Sequence, residues 1–125
     1  MRTATLIVRL LLGLIFTVFG ANGFFHFIPN MAMPQPAMSF FGALFATGYM
    51  VPLIFATQLV AGILLLIGIA VPFALTLIAP VIVNIFLFHV VLDPGGIPQA
   101  IVVALLELFL VWRHWSAFAP LFRAV

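Results

Sequence analysis

Glu107, Gln58, Asn84 and Thr17 each stand alone inside a long apolar run, and Asn22, His26, His89 and Asp93 gather where two such runs end. The first four offer a carboxyl, two amides and a hydroxyl. Such a set can share a proton, hydrogen-bond the carbonyls of a ligand, or only tie one helix to another. The second four include two imidazoles and a carboxylate, which are ligand types for a divalent metal, and a histidine pair can ligate haem. No paired-ligand spacing sharpens either reading, and histidines at a membrane surface also bond to headgroups, water or loop backbone, so no metal site is assigned. The chain has no cysteine. Thiolate nucleophiles, disulfide exchange, iron–sulfur clusters and thiolate zinc sites are therefore excluded.

The elements that hold these residues must lie in a bilayer. Hydrophobic residues make up 67% of the chain, charged residues 5%, and mean hydropathy is +1.46. That leaves too little polar surface for a water-soluble globule. A helical span takes about 20 residues, so the length holds four spans and short links as a single domain over 1–125. The expected fold class is all-α: an integral membrane four-helix bundle with spans at about 4–28, 51–71, 73–92 and 97–115. The start of the chain can alternatively be read as a signal peptide with a poor cleavage site at Ala21-Asn22-Gly23, but its apolar run outlasts a typical h-region. Prolines 29, 34, 36 and 52 interrupt helix between the first two spans. Phe40, Phe41, Leu44, Phe45 and Tyr49 nevertheless recur at helical spacing there, which predicts a short interfacial helix at about 37–49. Pro72 suits the start of span three, and Asp93-Pro94-Gly95-Gly96 suits a type II turn before span four.

Orientation comes from the arginines. Arg2 and Arg9 lie near one terminus, Arg113 and Arg123 near the other, and no lysine or arginine lies between. Four spans put both termini on one side, and the positive-inside rule makes it the cytoplasmic face of a bacterial inner membrane. There is no basic run of the kind that binds nucleic acid. Counted inward from the far ends of the spans, Glu107 lies about 15 Å deep, Gln58 about 10 Å and Asn84 about 12 Å, with Thr17 at a similar level. An ionisable residue there costs about 2.5–3.5 kcal/mol on insertion scales, so Glu107 is expected to face inward, protonated, in a buried cluster with Gln58, Asn84 and Thr17. Arg9 sits about 13 Å from Glu107 along the membrane normal and is expected to reach lipid phosphate instead. At the other rim, Asn84 and His89 are about 140° apart on a helical wheel, so they cannot both point squarely into one cavity.

Lipid is as apolar as the side chains, so small residues in close contact must hold the helices together. Gly13, Thr17 and Gly20 form one stripe, Ala61 and Gly62 flank Gln58, and Ala100, Ala104 and Glu107 share a face; Gly13, Gly20, Gly62 and Ala104 are the expected packing positions. Pro80 is expected to bend span three, with Thr76 satisfying the backbone group it leaves free.

The pattern Arg9-x3-Gly13-x2-Phe16-x3-Gly20, Met33-Pro34, Gly62-x-Leu64-Leu65-Leu66-x-Gly68, Asn84, Phe88-His89 and Asp93-Pro94 together resemble the DoxX family over essentially the whole chain. The resemblance implies a small four-helix membrane protein in a family named for a subunit of an archaeal quinone-linked sulfur oxidation complex. Relatives of the fold also assist assembly of other membrane proteins. Many members carry glutamate where this chain has Gln58, which leaves Glu107 as the only intramembrane acid.

Two functions follow as expectations. The first is a non-catalytic accessory or assembly subunit that offers a helix face to a membrane protein partner or to another copy. The alternative is a redox-complex subunit that binds quinone through Gln58, Asn84 or His89 with aromatic side chains against the ring. A small transporter is a third class, and it would need an oligomer to form a pathway.

Overall fold

A computed structural model describes residues 2–28 and 33–123, and all regular structure among them is helical. In chain order the helices are α1 (Arg2–Phe25), α2 (Gln35–Ala46), α3 (Met50–Ile67), α4 (Val71–Val91), α5 (Ile97–Arg113) and the single turn α6 (Trp115–Phe118). Among the described residues, α1, α3, α4 and α5 with its leading turn are long and apolar enough to cross a membrane. Pro29 lies outside the described residues, so its expected helix-breaking role does too.

The helix ends differ from the sequence expectation for local reasons. α1 stops at Phe25, three residues early, because His26 takes φ +53° and the Asn22 carboxamide oxygen accepts the Ile28 N–H at 2.7 Å. α2 ends at Ala46 rather than 49. Gly48 turns the chain at φ +80°, and the Thr47 hydroxyl donates to Leu44 O and accepts from the N–H of Met50. α3 ends at Ile67, where Gly68 adopts φ +75° and the Ile69 N–H reaches back to Leu64 O, as in a Schellman cap. The expected type II turn is not formed: it needs positive φ at Gly95, and the only described glycines with positive φ are Gly48 and Gly68. Pro94–Gly96 instead winds as a 3-10 turn directly into α5, against the His89 ring. Thr76 also departs from expectation. Its hydroxyl donates to Pro72 O at 2.9 Å, so it does not compensate for Pro80, and the Thr76 carbonyl loses its usual i+4 donor.

The long helices pack in the ring order α1, α3, α4, α5, with α5 closing on α1 and α3 diagonal to α5. Leu12, Phe16, Leu65, Leu75, Ile78 and Leu110 fill the centre. Leu14, Leu53, Ile63, Phe73, Val83, Leu105 and Leu108 cover the outside, a distribution suited to lipid and untenable in water.

The tightest contact joins α1 to α3. A Cβ on Gly20 would lie 2.7 Å from Leu59 N, one on Gly62 would lie 2.5 Å from Thr17 N, and one on Gly13 would lie 3.0 Å from Gly62 O and Leu66 N. These backbones touch because the side chains between them are absent. Ala104 is partly buried against the core from α5. α2 lies over the far end of α4, where the Phe40 and Phe41 rings meet Phe88 edge-on at 5.6 and 5.2 Å.

Candidate functional site

Of the four side chains expected in one buried cluster, three face the interior and one does not. Gln58 and Glu107 are buried, at 7% and 6% exposure, on diagonal helices, and no hydrogen bond joins them. Thr17 packs against Gly62, one turn from Gln58. The Thr17 hydroxyl and the Glu107 Oε1 are fully enclosed without a hydrogen-bond partner among the described residues. Asn84 is exposed on the outer surface of α4, which corrects the expectation that it completes the cluster. Its neighbours Ile82 and Ile78 take the inward positions instead. Thr76 and Pro80 are exposed too, so Thr76, Pro80 and Asn84, at i, i+4 and i+8, form one strip facing away from the bundle.

The rim residues separate as well. Asn22 is used in the backbone turn that ends α1, and His26 is exposed in that turn. His89 Nδ1 lies 3.2 Å from Asp93 O and 3.9 Å from the Asp93 carboxylate, one turn along the same chain segment. Its ring stacks edge-on to Phe88 at 5.1 Å and covers Gly96, where any side chain would collide with it. His89 is thus a fastener for the α4–α5 turn. No three histidine or acidic side chains among the described residues approach closely enough to hold a metal.

Two cavities flank the bundle, and neither is lined by Glu107 or Gln58. One, of about 220 Å³, lies between α1, α2 and α3 and is lined by Gly23, Phe24, Phe45, Gly48, Val51 and Pro52. It is smaller than the roughly 300–1,000 Å³ of small-molecule sites. The other, of about 400 Å³, opens at the end of the bundle where α1 begins and α5 finishes, among Arg2, Thr5, Arg9, Gly68, Arg113 and His114. Arg113 Nε donates to the Thr5 hydroxyl at 3.1 Å, and the Arg9 guanidinium lies on Gly68 at the C-terminus of α3. Arg9 therefore has a seat within the protein. Thr5, Gly68 and His114 have no sequence signature marking them as cavity residues; the available signal is the confinement of every arginine to the chain ends.

The DoxX family model matches residues 4–90, which span α1 to α4. The chain belongs to the DoxX family. No curated protein and no solved structure matches it. The family match includes the Gly13, Gly20 and Gly62 contact, Gln58 and the α4 strip, and it stops short of Asp93-Pro94 and of α5 with Glu107 and Arg113. Membership therefore reaches the α1/α3 core and α4, while Glu107 belongs to the part of the bundle outside the match.

Proposed function

We propose that this DoxX-family protein is a non-catalytic accessory or assembly subunit of the bacterial cytoplasmic membrane, docking a partner span along α4. The observation that carries this reading is the outward strip Thr76, Pro80 and Asn84. An amide in hydrocarbon without a partner is costly, and so is a carbonyl without a donor. Asn84 supplies the first and Thr76, whose i+4 donor Pro80 removes, the second. Both are relieved by a second helix that brings a polar side chain to this face. The partner is a different membrane protein or another copy of this chain.

Both termini face the cytoplasm in this reading, because the arginines gather at the end of the bundle where α1 begins and α5 finishes. The quinone-subunit alternative finds less support. Its expected ligands Gln58, Asn84 and His89 lie inside the bundle, on its outer surface and in the last turn of α4, with no cavity among the two described that they share.

The test is purification from the native membrane of the wild type and of Asn84→Leu, with partner stoichiometry and extracted quinone measured on both. The proposal expects a stoichiometric membrane partner, or a dimer, whose affinity falls about five- to thirtyfold in Asn84→Leu, in keeping with one intramembrane polar contact worth about 1–2 kcal/mol. A monomer carrying one quinone per chain, unchanged by the substitution, would overturn it.

A further inference from the structure

The cavity where α1 begins and α5 ends gathers cations, and among the described residues no counter-charge lines it. Arg2, Arg9 and Arg113 line it together with His114, and no acidic residue does. The chain's two acids are elsewhere: Asp93 is at the opposite end of α4 beside His89, and Glu107 is buried in α5. Cations held around one opening repel one another, and exposed arginines normally relieve this by spreading into solvent.

Here one of them is bonded in place and a second lies over backbone. Arg113 is hydrogen-bonded across the bundle to Thr5 of α1 and lies 5.6 Å over the Trp112 ring. Arg9 lies over Gly68, whose φ of +75° favours glycine and whose missing side chain leaves the space that the guanidinium occupies. His114 Nδ1 is 2.9 Å from Leu110 O, and in the neutral tautomer that donates this bond Nε2 is an acceptor, so His114 is not counted among the donors of the cavity. Val71, the first residue of α4, also lines the cavity, and no side chain caps the free N–H groups of that helix start.

The geometry points to a phosphate-binding site in this cavity, held by Arg2, Arg9 and Arg113. Planar guanidinium groups bind phosphate oxygens in pairs, and the cavity of about 400 Å³ admits a headgroup. Arg2 and Arg9 come from α1 and Arg113 from α5, while Gly68 and Val71 flank the α3–α4 link. One bound anion therefore ties the closing edge of the helix ring to the link that follows α3. The phosphate comes from an anionic lipid headgroup or from free phosphate; both have the same chemistry. The site does not depend on the α4 docking strip.

The experiment follows thermal unfolding of the whole protein in neutral detergent. One arm adds phosphatidylglycerol against phosphatidylcholine of the same acyl chains, and the other adds inorganic phosphate against chloride at equal ionic strength. Saturating ligand raises the midpoint by about 5 °C or more. A rise with phosphatidylglycerol alone assigns the lipid, and a rise with inorganic phosphate assigns the free anion. In Arg9→Gln/Arg113→Gln the rise disappears. Should that variant not fold, Arg2→Gln carries the test, because Arg2 is exposed at the start of α1; it must weaken binding about tenfold, the worth of one charged contact. No rise with either anion in the wild type, or an undiminished rise in these variants, overturns the site.

Discussion

Gly20 is the residue on which the α1/α3 contact depends most directly. A methyl group there meets the Leu59 backbone, which cannot rotate away as a side chain can. Gly20→Ala is expected to destabilise the bundle by about 1–3 kcal/mol, the usual cost of overpacking, measurable as a lowered unfolding midpoint in detergent. Gly42→Ala, at an open position inside α2, serves as the control and should leave the midpoint unchanged or raise it, since alanine favours helix by about 0.5–1 kcal/mol. Small residues at 13, 17 and 20 were readable as a contact face because close backbone approach demands them. The facing of Asn84 was not readable. In a soluble protein polar residues mark the outer face of a helix, but α4 is apolar toward both lipid and core, so the pattern around Asn84 carries no sidedness. The place of Gly68 in the cavity was equally opaque, since it depends on an arginine brought from α1.

Among the elements, α4 combines a structural defect with an exposed polar strip. Pro80 costs the helix a hydrogen bond and faces outward, where it fills no core space. Pro80→Ala restores the donor for Thr76 O and is expected to raise the midpoint of the isolated protein while reducing partner yield. Higher stability with unchanged partner yield would show that the strip is not used for docking. The helix count and approximate spans were legible because prolines and glycines punctuate otherwise continuous apolar runs. The ends were legible only to within a few residues. They are set by His26 at positive φ, the Asn22 carboxamide and the Gly68 cap, where local bonds outrank hydropathy. The α4–α5 turn differed for a tertiary reason: the His89 ring lies on Gly96 and continues the winding into α5.

For the whole molecule, an arginine-rich end and an arginine-free end give a charge asymmetry, and the proposed orientation rests on it. The absence of cysteine makes this testable with single introduced thiols. Ser116→Cys is expected to resist a membrane-impermeant maleimide added to intact spheroplasts, while Gly95→Cys, exposed at the opposite end, reacts. The reverse pattern would place the termini outside. The internal carboxyl of Glu107 and the Thr17 hydroxyl remain enclosed by apolar neighbours on helices that pack against one another, while the chemistry open to other molecules lies on the perimeter, at the α4 strip and the arginine cavity.

The docking reading is tested most directly by a photoreactive benzoylphenylalanine placed at position 84 and, separately, at position 105, which is exposed on α5. Irradiated in native membranes, the protein is predicted to give a discrete protein adduct from 84 and only lipid adducts from 105. Lipid adducts alone from both positions would contradict the account and leave α4 facing the bilayer without a partner.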